Sequence, residues 1–203
     1  MLFEDQKPPA SLAAVAAGID GCRRCDLWRA ATQGVPGEGP AHAPMMLVGE
    51  QPGDQEDLAG KPFVGPAGRM LDRALEEAGV PRRETFVTNA VKHFKHAPRG
   101  KRRLHKTPDQ GEIVACRWWI DAERRLVRPR VIVAMGGTAV FSIFGRALPI
   151  MKSRRKAMQL DDQAQGVVTV HPSFLLRIPD EDGRRAAYAA FVEDLRFAHG
   201  LLG

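Results

Sequence analysis

Residues 45–54 read MMLVGEQPGD, and the change of character at Gly49 decides the fold. MMLVG (45–49) carries no charge, and a loop of glycine, proline and acidic residues follows it at once. A strand wet on one face alternates apolar with polar residues. An unbroken apolar run marks a strand covered on both faces, which is how parallel strands sit. TFVTNAV (85–91), RVIVAM (130–135) and GVVTVH (166–171) have the same character. Helical patterns separate them. PAGRMLDRALEEAG (66–79) has Pro66 in its first turn and Gly79 as its stop. A second helix is expected to open at Thr107, with Pro108 at its first position and Gln110 completing a capping box, and it carries Cys116, Trp118 and Trp119. GGTAVFSIFG (136–145) reads as a turn and short helix, and GRRAAYAAFVEDLRFAHG (183–200) as a closing helix. Strands alternating with helices predict one α/β domain over residues 1–203, a central parallel sheet with helices on both faces.

In open parallel sheets, ligands bind beyond the carboxyl ends of the strands. Four polar or glycine-rich segments fall at that edge: GEQPGD (49–54), NAVKH (89–93), MGG (135–137) and HPS (171–173). Turn formation accounts for their glycines. It does not account for Glu50, Asp54, Asn89 and His171 gathering at one edge, so a site is expected there.

Charge points to the partner. The chain has 30 Lys and Arg against 24 Asp and Glu, a net +6. The excess is concentrated: Lys92, Lys95, Arg99, Lys101, Arg102, Arg103 and Lys106 lie in one segment without an acidic residue. Such a local field suits nucleic acid. No apolar run approaches a membrane span, and the opening MLFEDQKPPA lacks the pattern of a secretion signal. A cytoplasmic protein is expected, with a monomer as the default state.

Cys22 and Cys25 form C-x-x-C, with Cys116 far off in sequence. An odd count without a secretion signal argues against a disulfide framework. Two close thiolates and a distant one make a metal corner lacking one ligand, with six histidines as the pool for it. Spacing alone leaves zinc and an iron–sulfur cluster both open.

Taken together, GEQPGDQEDLAGKPFVGPAGRMLD, TNAVKHFK, RGKRRLHKTP, EIVACRWW and HPSFLLR resemble the uracil-DNA glycosylase superfamily, in this order from about Cys22 to Arg177. The match is nearest to the UdgX branch, a relative of the family 4 iron–sulfur glycosylases. The resemblance implies a [4Fe–4S] cluster held by Cys22, Cys25, His93 and Cys116. It also implies a uracil pocket made by Gln51, Gly53, Asp54, Phe63, Asn89 and His171. Phe63 would stack on the base, the Asn89 amide would match its O4 and N3–H, and His171 would bond O2 as charge develops there. Lys101, Arg102, Arg103, Lys106 and Ser173 would contact DNA.

The same resemblance explains a lone histidine inside KRRLHKTP (101–108), within a basic insertion of about residues 92–108. In UdgX-like proteins this histidine is a nucleophile, so His105 is expected to capture C1′ of the sugar after uracil leaves, with Glu50 as its partner. The product would be a protein–DNA adduct, formed preferentially on single-stranded DNA, where flipping costs least. The setting implied is the bacterial cytoplasm, beside the nucleoid. Two other readings stay open: a multiple-turnover family 4 glycosylase in which His105 contacts phosphate, and a non-catalytic binder of uracil-containing or damaged strands. Two departures from the relatives stand out. Trp118 replaces a usual proline, and Lys156 in SRRKAM (153–158) replaces a glycine, which leaves the roles of Arg154 and Arg155 open.

Overall fold

The computed structural model describes residues 7–100, 102–161 and 163–203. Strands β1 (Met45–Gly49), β2 (Thr85–Asn89), β5 (Val131–Met135) and β7 (Gln165–Thr169) form a parallel sheet in the order β2-β1-β5-β7, as the apolar runs predict. A short strand, β6 (Met158–Gln159), pairs antiparallel on the β7 edge. Between β2 and β5 lies a separate hairpin of β3 (His96–Arg99) and β4 (Arg102–His105).

Side chains alternate across a strand, and here both faces are covered. Met45 and Leu47 point to one layer, with Leu71 and Leu75 of α3 (Pro66–Ala78) and Phe191 and Leu195 of α8 (Glu181–Gly200). Met46 and Val48 point to the other, with Ile120 of α4 (Gln110–Val127) and Val140 of α5 (Gly137–Phe144). Full burial of each such side chain contributes roughly 1.5–3 kcal/mol. A third apolar cluster joins α1 (Leu12–Asp20) to α4 and takes in Cys22 and Cys116.

Three sequence expectations shift. The helix after the basic segment opens at Gln110, capped by Asp109 rather than Thr107. Asp109 accepts from the Glu112 N–H while Glu112 accepts from the Asp109 N–H, a closed capping box that Thr107 and Gln110 do not form. The second strand ends at Asn89, since the Ala90 and Val91 N–H groups donate to the Gly49 and Glu50 carbonyls outside the ladder. The basic insertion, expected as a loop, is the β3–β4 hairpin. As for SRRKAM, Arg154 pairs with the fully buried Asp194 at 2.6 Å and bridges to Val168, a structural task, whereas Arg155 is exposed with φ +52°.

Candidate functional site

The pocket of about 540 Å³ sits at the carboxyl edge of the sheet. Glu50, Gln51, Gly53, Asp54, Phe63, Asn89, His105, His171 and Ser173 all line it, nine residues drawn from four separated segments.

Its floor is built on the ends of β1 and β2. Asn89, 3% exposed, pairs across the ladder with Gly49. A side chain at Gly49 would put its Cβ 2.5 Å from the Asn89 amide oxygen and 2.6 Å from the Phe63 ring, so glycine is what lets both close over the strand end. Phe63 itself adopts φ +57°, a costly conformation for a bulky residue. Gly68 permits it, because a Cβ there would meet the Phe63 carbonyl oxygen at 1.6 Å. Glu56 braces the two loops: its carboxylate accepts from the Gly53 N–H at 3.1 Å and the Gly65 N–H at 2.8 Å.

His171 is the N-cap of α7 (Pro172–Leu176). Its Nδ1 accepts from the Ser173 N–H at 3.2 Å and lies 2.8 Å from the Ser173 hydroxyl. Burial, then the charges of His105 and Arg177, pushes its pKa down to about 4. The ring is therefore neutral at pH 7 with its proton on Nε2, a ready donor to a carbonyl oxygen. Ser173, expected at DNA, is found orienting this ring. The Phe63 and His171 rings lie 29° from parallel, with centroids 6.2 Å apart.

The hairpin brings His105 to the mouth. His105 Nε2 is 3.5 Å from Glu50 Oε1, a buried oxygen with no hydrogen-bond partner among the described residues. Small movement on substrate binding converts such a separation into a hydrogen bond. Burial first, and Arg177 second, lowers the His105 pKa. Burial raises the Glu50 pKa, while Arg177 opposes that rise.

Two expected ligand-binding side chains turn out to hold the hairpin. Gln51, 6% exposed, donates from Nε2 to the carbonyls of Lys95 and Lys106 and accepts from the Lys95 N–H at 2.9 Å. Its amide is engaged with the backbone flanking both strands, and the residue lines the pocket. Arg103 bonds Asp54 through Nε at 2.6 Å, Asp57 through Nη1 at 2.5 Å and the Thr32 hydroxyl at 3.2 Å. A guanidinium engaged in this way acts as a strut for the hairpin, and its partner Asp54 also lines the pocket. Arg102 and Lys106 are exposed, as DNA contacts must be, and Lys101 lies outside the described residues.

Three contributors escaped sequence reasoning. Glu56 and Asp57 resemble surface acids of a short helix, yet both are buried. Arg177 ends HPSFLLR without drawing notice. Among the described residues it supplies the pocket's single guanidinium, and its charge reaches Glu50, His105 and His171 alike.

Cys22, Cys25 and Cys116 share one cluster at the base of α4. The Lys92 N–H donates to Cys116 Sγ at 3.2 Å and the Trp119 indole N–H to Cys22 Sγ at 3.2 Å. Buried His93 adjoins Lys92, and burial together with Arg23 lowers its pKa. Among the described residues no three His, Cys, Asp or Glu side chains form a group that could hold a metal ion. A zinc ion demands donors within about 2.0–2.3 Å of one point, whereas a cubane cluster spreads one ligand to each iron. Thiols and an imidazole are donor types that either group accepts, and N–H groups are already directed at two of the sulfurs. Burial pushes the Cys116 thiol up to about 12, so its thiolate needs a cationic centre beside it.

Residues 36–196 match the family model described as the uracil DNA glycosylase superfamily. A type-4 uracil-DNA glycosylase of Sulfurisphaera tokodaii is 34% identical, over 84% of this chain and 78% of the relative. Those of Thermotoga maritima and Pyrobaculum aerophilum are each 36% identical, over 84% and 79% of this chain and 86% and 82% of their own lengths.

Proposed function

Because the chain belongs to the uracil DNA glycosylase superfamily, we propose that it excises uracil from DNA and then captures the sugar on His105, as UdgX-like proteins do. The observation that carries this reading is His105 held 3.5 Å from the unpartnered Glu50 Oε1, over a pocket walled by Phe63, Asn89 and His171.

The flipped base lies against Phe63, and the Asn89 amide pairs with its O4 and N3–H, a pattern cytosine reverses. The bond from N1 to C1′ breaks, and its electron pair leaves with the base. His171 Nε2–H bonds O2, where that charge gathers. C1′ is left with oxocarbenium character. A neutral His105 ring nitrogen donates its lone pair to C1′, and the imidazolium formed passes its other proton to the Glu50 carboxylate or keeps it, paired. No water is consumed and turnover ends. Arg102, Lys106 and Arg177 supply cations for the strand. Single-stranded DNA is the preferred substrate, because no partner strand has to be unpaired.

Cys22, Cys25, His93 and Cys116 would hold a [4Fe–4S] cluster, with zinc as the alternative. When bound, it would cross-link the amino-terminal segment, the end of β2 and α4, a structural rather than redox role. The unit is read as one domain acting as a monomer in the cytoplasm. The type-4 names of the relatives favour a second reading, ordinary hydrolysis with free abasic DNA as product.

The test mixes the protein with labelled single-stranded DNA carrying one uracil and resolves the products on a denaturing gel. A heat-stable shifted band that requires uracil is expected. Released uracil with unshifted abasic DNA would leave the hydrolytic reading. Iron content and visible absorbance of the purified protein decide between cluster and zinc.

A further inference from the structure

The segment beside the metal corner has a surface that the reaction leaves unused. Both residues between Cys22 and Cys25 are arginines. Arg23 stacks on Trp28 with its guanidinium carbon 4.0 Å from the ring centroid, and Arg29 reaches the same ring at 4.9 Å. Arg24 stacks on Trp118 at 4.3 Å, and Trp118 meets Trp119 edge-on at 4.6 Å. Neither Trp28 nor Trp118 is fully buried, and Arg23 and Arg29 are exposed. Asp26 pairs with Arg29 at 2.9 Å, and Asp20 ends α1.

This surface is continuous with the site. The His96 ring bonds the Ala30 carbonyl at 2.9 Å, and Thr32 bonds both Asp57 and Arg103. His96 pairs across the hairpin with His105. Trp28 is two residues before Ala30, at most about 7 Å along the chain from the residue whose carbonyl the His96 ring bonds. A strand leaving the pocket along the hairpin would reach it within a few nucleotides. Partly exposed indoles interleaved with guanidinium planes are groups that unpaired bases and their phosphates bind.

We propose that the Arg23–Trp28–Arg29 stack, continued by Arg24 on Trp118, is a second contact for single-stranded DNA, gripping nucleotides that flank the uridine. The proposal rests on the glycosylase reading of the pocket. It makes affinity depend on strand length in a way the pocket alone does not.

Two single-stranded probes test it, each with one 2′-fluorinated uridine that resists cleavage. One is long enough only to fill the pocket, and the other extends to roughly 16 nucleotides. Fluorescence anisotropy should show tighter binding of the long probe by the wild-type protein. Trp28→Ala should weaken the long probe about 5- to 100-fold and leave the short one unchanged. Arg29→Gln, at an exposed site that cannot disturb the core, should lower the slope of log K against log salt by about 0.7 on the long probe alone. Arg128→Gln, at the far end of α4, should change neither. Equal wild-type affinity for both lengths, equal losses on both probes, or an Arg128→Gln loss as large as that of Arg29→Gln would overturn the proposal. A wild-type protein that binds uridine and thymidine probes alike would instead sink the reading of the pocket.

Discussion

The two halves of the pocket rest on different supports. Asn89, Phe63 and His171 stand at the end of a sheet whose strands are buried on both faces. His105 stands on a two-stranded hairpin whose residues are half-buried or exposed, and such a ribbon is marginal alone. Side-chain ties hold it down: Gln51 to the backbone beside both strands, Arg103 to Asp54 and Asp57, and His96 to Ala30. Phe94, buried beneath, meets the His96 and His105 rings at 5.0 and 6.1 Å. On the proposed function, recognition rests on apolar packing and capture on a polar tether, so mutation should be able to separate them.

The sharpest separation is His105→Ala. It should abolish the covalent band while the sheet-borne half keeps binding uracil, and released base, measured by chromatography, should persist. Loss of release together with the adduct would mean that the halves are not independent. Asn89→Ala should do the opposite and lower release and capture together, by about 100-fold, the cost of misplacing a bound base by about 1 Å. Single-turnover rates on uracil-containing strands measure both.

Loosening the tether should act on capture first. Gln51→Ala frees the backbone at Lys95 and Lys106, and a displacement of about 1 Å costs about 100-fold in a positioned reaction. The adduct-to-release ratio should fall accordingly. Arg103→Ala strips the buried Asp57 of its cation, leaving only the Thr32 N–H, and should destabilise the fold by about 3 kcal/mol in urea unfolding. Arg103→Lys should restore only part of this, since one ammonium cannot span Asp54, Asp57 and Thr32.

Much of the sheet-borne half was legible in the sequence. Four uncharged or nearly uncharged strands declare burial on both faces, and the polar residues at their carboxyl ends converge as that topology requires. The hairpin was not legible. Seven cations in 15 residues, with Pro98 inside the first strand, hide any alternation, and the bonds that fold it come from Gln51 and Asp57, about 45 residues upstream. For the same reason the ties of Gln51 and Asp54 to the hairpin were hidden: their position in the loop after β1 was visible, but the direction of their side chains was not. Asp109 displaced Thr107 as helix cap because Glu112 completes its box and Lys95 bonds both carboxylates, a contact across 14 residues.

The smallest expected effects are in pH. His105 must be neutral to attack, and its pKa lies below the ordinary ~6.5. Capture should hold level through neutrality and fall on the acid side only below ~6.5, with Glu50, whose pKa is raised, setting part of that limb. His171 gives a stability signature of the same sign. Its folded pKa of about 4 is below the unfolded value, so the unfolded chain binds the extra proton between ~6.5 and 4 and stability declines as pH falls through that window. His171→Gln should flatten the decline.

The central claim is a bond between His105 and C1′, and peptide mapping tests it most directly. The protein is reacted with a short uracil-containing strand, digested with nuclease and protease, and analysed by tandem mass spectrometry. The account expects the peptide spanning residue 105 to carry an abasic deoxyribose linked to the imidazole, with no such mass in the absence of uracil. An unmodified peptide beside free abasic DNA, or the sugar on any other residue, would contradict it.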